Sequence, residues 1–244
     1  MSSIVLQPLK PNEICVFYAF LDEIAQGDFN IEGMLSLDEI LRAQRYVHKR
    51  DGKRFAIGRV VLRMILGRYL SIQPEAISFQ HNEFGKPTLD GPDLYFNMSK
   101  SAGRATYAIS RNRQIGVDIE HIRDIPQMDQ ISQRFFSKSE NELLNAQPDS
   151  TKKEFFFQLW SRKEALAKAV GTGLSKTYNT IDLTSGPSDP LRLLRLVDDS
   201  KKDRDWAVID IGHKDGYASA LAAEWPCILP PQIYVFPLNF EDMF

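Results

Sequence analysis

Sliding the chain against itself by 104 positions aligns Leu62 with Leu166, Gly67 with Gly171, Leu70 with Leu174, Ser71 with Ser175 and Ile77 with Ile181, without a gap. These identities coincide with a repeated order of elements, a long helix followed by β-rich segments, and that order restricts the fold more than any other feature. A capping box at Ser36 and Glu39 announces the first helical region. Phe55, Leu62, Ile65 and Tyr69 then recur at helical spacing on a longer helix, roughly Gly52 to Leu70. Short β-rich segments follow at Ile77–Gln80, Leu94–Met98, Ala105–Ser110 and Ile115–Glu120, punctuated by Gly85-Lys86-Pro87 and Gly91-Pro92. A second capping box, Thr151 with Glu154, predicts another helix through Phe155, Leu159, Leu166 and Ala169 that stops near Gly171 and Gly173. Further strands are expected at Leu191–Val197, Trp206–Ile211, Tyr217–Ala223 and Ile233–Phe236. The expectation is an α+β protein of two similar, pseudo-symmetric lobes, residues 1–112 and 113–244, joined near Arg111 to Gln114. The site should lie at the interface of the lobes, where clefts form most readily.

Charge and composition exclude several classes. Thirty basic against 32 acidic side chains give a formal charge of −2, so nothing global calls for nucleic acid or an anionic membrane. With 43% of 244 residues apolar, the chain can bury a core. Cys15 and Cys227 match no metal spacing and no disulfide framework, which suits a reducing cytoplasm. The apolar patch Ile14 to Phe20 is too short for a membrane span and reads as a first strand. The glycine-rich nucleotide loops, the Gly-x-Ser-x-Gly elbow and His-Glu-x-x-His are absent. His48, His81, His121 and His213 sit at unrelated spacings, so any metal would be held by oxygen.

The segment Ile115-Gly-Val-Asp-Ile-Glu120 alternates strictly, so Gly116, Asp118 and Glu120 share one face of a strand. Alternation of this kind also describes an ordinary half-buried strand with a solvated face, and spacing alone does not separate the two. On the second helix Trp160, Glu164 and Lys168 recur at steps of four; Glu164 with Lys168 also fits a surface ion pair, and Trp160 a core anchor. Taken together, Asp118, Glu120 and Glu164 form a hard oxygen set of the kind magnesium prefers beside phosphate, within a helical turn of a lysine. Phe84-Gly-Lys-Pro87 and Phe96-Asn-Met-Ser-Lys-Ser101 can be anion-reading loops or ordinary turns. The basic run from Arg42 to Arg68 can be a solvated helix face or meet an acidic ligand.

These segments, with Arg134-Phe-Phe-Ser137, Leu159-Trp-Ser-Arg-Lys-Glu-Ala165, Lys168 and Gly173-Leu-Ser175, resemble the 4'-phosphopantetheinyl transferases of the two-lobed Sfp type, in the family's order and over about Ser36 to Ser175. The resemblance implies transfer of 4'-phosphopantetheine from coenzyme A to a serine of an apo acyl or peptidyl carrier protein, with release of adenosine 3',5'-bisphosphate. It implies magnesium, replaceable by manganese in vitro, on Asp118, Glu120 and Glu164. Lys168 would meet the diphosphate, and Glu164 or Glu120 would accept the serine proton. Pro87 would flank adenine, while Lys86, Asn97, Ser99 and Lys100 reach phosphates and Arg42 and Arg54 lie near the 3'-phosphate. Lys100 stands where the family usually has histidine; it keeps a donor and makes the charge permanent. Two lobes in one chain imply a monomer. The basic rim suits an acidic carrier, with Phe135 and Phe136 either beside it or, preferentially, in the core. Two other readings use the same residues: a magnesium-dependent nucleotide phosphoesterase, and a non-catalytic carrier-binding module.

Overall fold

The computed structural model describes residues 9–26, 31–91, 93–173, 176–184, 191–197, 203–212, 216–225 and 232–238. Pro92, Leu174, Ser175, His213 and Cys227 lie outside the described residues. The strands are β1 (Glu13–Phe20), β2 (Phe79–His81), β3 (Pro87–Leu89), β4 (Leu94–Ser101), β5 (Arg104–Arg111), β6 (Ile115–His121), β7 (Leu191–Val197), β8 (Asp203–Asp210), β9 (Tyr217–Glu224) and β10 (Gln232–Leu238). The helices are α1 (Leu21–Ile24), α2 (Leu37–Gln44), α3 (Lys49–Leu70), α4 (Met128–Phe135), α5 (Lys138–Asn145) and α6 (Asp149–Val170).

Alternation within β1 explains the layering. Cys15, Phe17 and Ala19 pack with Ile57, Val61 and Leu62 of α3, while Ile14 and Val16 on the opposite face pack with Ile115 and Val117 of β6. β1 is therefore buried on both faces, and its sheet, in the order β10-β1-β5-β4, is sandwiched between α3 and a second sheet, β6-β9-β8-β7. The second sheet repeats the device: Leu221 and Ala223 of β9 face the first sheet, while Ala220 and Ala222 face α6. The result is α+β in four layers, helix, sheet, sheet, helix, with a central seam between sheets. β10 pairs in parallel with β1, Cys15 opposite Tyr234, so the last described strand belongs to the first sheet. Among the described residues no helix is long and apolar enough to cross a membrane.

Both long helices have 22 residues, but they start at 49 and 149, an offset of 100 rather than 104. The gapless self-alignment therefore sets the carboxyl end of α6 four residues out of step with that of α3. The Ser36–Glu39 capping box forms as expected. The Thr151–Glu154 box does not: α6 begins earlier, at Asp149, and the Thr151 hydroxyl donates to the Pro148 carbonyl inside the first turn. α4 and α5 were not expected; α5 opens on a capping box formed by Ser137 and Glu140. Phe136 is buried and Phe135 packs edge-on against Trp160, in the core position.

Candidate active site at the seam between sheets

β4 and β6 run side by side at the seam and are joined by side chains. Asn97 Oδ1 accepts from the Val117 amide at 2.9 Å, Ser99 Oγ donates to Asp118 Oδ1 at 2.8 Å, and Ser101 Oγ donates to Glu120 Oε2 at 3.0 Å. The alternation of β4 that aims Asn97, Ser99 and Ser101 at β6 is the same period of two that aims Asp118 and Glu120 at α6.

Gly116 brings α6 down onto β6. A Cβ there would stand 2.2 Å from the Ala165 carbonyl oxygen and 2.3 Å from the Ala169 amide nitrogen, so only glycine permits this approach. Lys168 is thereby placed with its Nζ 2.7 Å from Asp118 Oδ1 and 2.9 Å from Ser99 Oγ. Glu164, one turn earlier on α6, faces the same group. Burial pushes the Glu164 carboxyl up to about 7; Lys168 opposes that rise, while the charges of Asp118 and Glu120 add to it. Glu120 is also raised, by burial first and then by Asp118. Three carboxylates thus meet one ammonium in a poorly solvated seam.

Among the described residues no three His, Cys, Asp or Glu side chains stand arranged as a ready-made metal cage. The donor chemistry nevertheless fits a hard dication. Asp118 Oδ2 is buried without a hydrogen-bond partner, and the strain of crowding Glu120 and Glu164 beside Asp118 is of the kind a cation relieves.

Beside the seam opens a cleft of about 670 Å³ lined by Arg42, Tyr46, Phe55, Pro87, Ser99 and Lys100, among others. Ser99 belongs to both cleft and seam, so the two are continuous. Lys100 Nζ lies 5.3 Å from the Tyr46 ring centre, and the Arg42 guanidinium 5.1 Å from that of Phe55. Deeper in the wall, Glu39 accepts from Arg59 and Arg63, whose guanidinia also stack on Phe79, leaving the wall with more basic than acidic groups.

Of the residues expected to hold a nucleotide, Arg42, Pro87, Ser99 and Lys100 line this cleft, and Lys168 reaches its edge through Ser99. Three point elsewhere. Arg54 makes a two-point contact with Asp22 at 2.8 and 2.5 Å. Asn97 bridges the strands as above. Lys86 donates to the Ile115 and Ala169 carbonyls, both at 3.1 Å, and to Gln114 Oε1 at 3.4 Å. The sequence reading also missed Ser101, Arg123 and the Glu39 cluster. The alternation of β4 puts Ser101 on the face of Ser99, whereas the local pattern at Glu39 marks only a cap and not its pairing with Arg59 and Arg63.

Residues 114–222 match the family model described as the 4'-phosphopantetheinyl transferase superfamily, and residues 28–112 match that of the 4'-phosphopantetheinyl transferase amino-terminal region. The chain is 33% identical over 218 residues to the 4'-phosphopantetheinyl transferase HetI of Nostoc sp., covering 88% of this chain and 89% of that one. It is 37% identical over 135 residues to the 4'-phosphopantetheinyl transferase Sfp of Bacillus subtilis, covering 55% of this chain and 59% of that one. A solved holo-(acyl-carrier-protein) synthase from Bacillus anthracis in complex with CoA (3',5'-ADP) overlaps 46% of this chain and 94% of its own, at 24% identity and a TM-score of 0.32.

Proposed function

The chain belongs to the 4'-phosphopantetheinyl transferase superfamily, and on that premise we propose that it moves 4'-phosphopantetheine from coenzyme A to the serine of an apo acyl or peptidyl carrier protein, releasing adenosine 3',5'-bisphosphate. The observation that carries this reading is Lys168 held by Ser99 and Asp118, with two more carboxylates alongside, at the edge of a cleft that Ser99 shares with Arg42 and Lys100. We divide the chain into lobes of residues 1–112 and 113–244, save that β10 of the second span completes the first sheet. We read the protein as a cytoplasmic monomer, since one chain supplies both walls of the site.

Arg42 and Lys100 supply positive charge for the nucleotide phosphates, and Pro87 offers a flat wall for adenine. Asp118, Glu120 and Glu164 would hold magnesium, which when bound neutralises charge on the diphosphate. The carrier serine oxygen forms a bond to the phosphopantetheine phosphorus as the bridging P–O bond breaks, its electron pair leaving with the bisphosphate. Lys168, held by Asp118, Ser99 and, at 3.4 Å, the Val117 carbonyl, exchanges that longest contact for the departing phosphate oxygen and so opposes the charge that grows there. The hydroxyl proton passes to a carboxylate. We assign Glu164 as the acceptor, because Glu120 is already bonded to Ser101 and Arg123. Arg54, Asn97 and Lys86 take no part in ligand binding in this scheme.

The test mixes the protein with an apo carrier, coenzyme A and magnesium, and reads the intact mass of the carrier against a serine-to-alanine carrier. Gain of one phosphopantetheine, lost with that control and with a chelator, is expected. Release of bisphosphate without mass gain would mean hydrolysis, and binding of the carrier with neither product would mean a non-catalytic module.

A further inference from the structure

The turn between β2 and β3 does more than line the cleft. Asn82 Oδ1 accepts the amides of Phe84 at 3.0 Å and Lys86 at 2.8 Å, while Gly85 takes the left-handed conformation the turn requires, at φ +79°. The same Asn82 donates through Nδ2 to the Gly171 carbonyl at 3.0 Å. Lys86 Nζ bonds the Ala169 carbonyl in the last turn of α6 and the Ile115 carbonyl at the first residue of β6. Helix ends leave four carbonyls without intrahelical partners and carry partial negative charge, so an ammonium and an amide are suitable caps. A turn of the first lobe therefore caps the helix of the second lobe that bears Glu164 and Lys168. It ties that helix to the strand that bears Asp118.

We propose that Asn82 and Lys86 are positioning residues for the transfer: they clamp the carboxyl end of α6 to the start of β6 and thereby set Lys168 and Glu164 opposite Asp118. The proposal rests on the transferase reading of this site. A phosphate-binding role for Lys86 competes with it, but Lys86 Nζ lies 3.1 Å from two backbone carbonyls, Ile115 and Ala169, which a phosphate would have to displace, whereas the shorter contacts of Lys168 are to side chains; neither Lys86 nor Asn82 lines the cleft. Their neighbours Gly85 and Pro87 do line it, so one short turn touches both the nucleotide wall and the helix end.

The test compares Lys86→Met, Asn82→Ala, the double variant and Asn82→Asp, which keeps the Oδ acceptor for the turn amides and sets a carboxylate oxygen against the Gly171 carbonyl in place of the donor. Carrier modification is measured at varied coenzyme A, and amide exchange of residues 167–171 is followed by mass spectrometry on the full chain. For each of Lys86→Met and Asn82→Ala the expected result is a fall in kcat of about 10–100-fold with KM for coenzyme A within about threefold, the loss a small misplacement of a reacting group produces. The double variant should be no worse than the weaker single one, because either change opens the same clamp. Faster exchange at residues 167–171 should accompany both and appear in Asn82→Asp. A rise of about tenfold or more in KM with kcat intact would make Lys86 a phosphate ligand and overturn the proposal. Unchanged kcat and unchanged exchange would overturn it too. If the unaltered protein modifies no carrier, the transferase reading fails separately, and exchange in Asn82→Asp still decides whether the clamp exists.

Discussion

Lys168 Nζ stands 2.7 Å from Asp118 Oδ1, with the aspartate side chain 3% exposed and the lysine 29% exposed. The pair joins the helix of one layer to the strand of the next, and Ser99 of the other sheet bonds both members. One carboxylate oxygen is thereby saturated and the other left without a partner. That asymmetry leaves Asp118 Oδ2 open to a further partner while holding Lys168 in place.

Removing the ammonium should expose the tension it holds. Lys168→Ala is expected to lower transfer by about 10²–10³-fold through loss of charge stabilisation on the departing phosphate. Without metal it should also cost about 1–2 kcal/mol of stability, less than for a fully buried pair because the lysine is partly solvated. Single-turnover assays and denaturant titration measure the two effects. Transfer within about twofold of the unaltered protein would remove Lys168 from the mechanism.

Asp118→Ala removes the best-buried of the three carboxylates, and transfer should be abolished even at saturating magnesium. Near-normal turnover would sink the assignment of Asp118 to the metal.

Glu164→Gln separates stability from activity. In the metal-free protein the Glu164 carboxyl, raised by burial, binds its proton more tightly when folded than unfolded, so stability falls as pH climbs from the ordinary carboxylate range through about 7. Glutamine cannot ionise. The variant should melt about 2–4 °C higher than the unaltered protein at pH 8, equal it at about pH 4, below the ordinary carboxylate range, and transfer nothing. A difference in melting that ignores pH would contradict the crowding described here.

Two glycines should lose different amounts of stability on replacement by alanine, for different reasons. At Gly116 the new Cβ would meet helix backbone at 2.2 Å, and a loss of about 3 kcal/mol or more is expected. At Gly85 the Cβ meets nothing within 4 Å, so only the left-handed φ costs, about 1–2 kcal/mol. Thermal melts of both variants decide the order.

Lys100→Ala should raise KM for coenzyme A about tenfold while changing that for 3'-dephospho-coenzyme A far less, because Lys100 and Arg42 stand together in the cleft. Equal losses for the two substrates would refute a role at the 3'-phosphate.

Several site features follow from local chemistry alone. The period of two in Ile115 to Glu120 puts Gly116, Asp118 and Glu120 on one face, and the i, i+4 step puts Glu164 and Lys168 on one stripe, wherever those elements are packed. Ser36 with Glu39 caps α2 for the same reason: the bonds lie within one turn. The short α4 and α5 escaped because eight residues carry little periodicity, although Ser137 and Glu140 were there to be read.

By itself, then, the sequence determined which carboxylates and which lysine share a face, the apolar pattern of the long helices, and an oxygen-rich chemistry without histidine or thiolate. Only the tertiary structure decided where long, flexible side chains end. A lysine of several rotatable bonds bonds a carbonyl as readily as a phosphate. Lys86 took the Ala169 carbonyl, 83 residues away, because the layers bring that helix end beside the turn. Arg54 met Asp22, Asn97 met the Val117 amide, and β10 returned to β1 in parallel. Each depends on contacts distant in sequence, set by the burial of β1 on both faces, which no local period records.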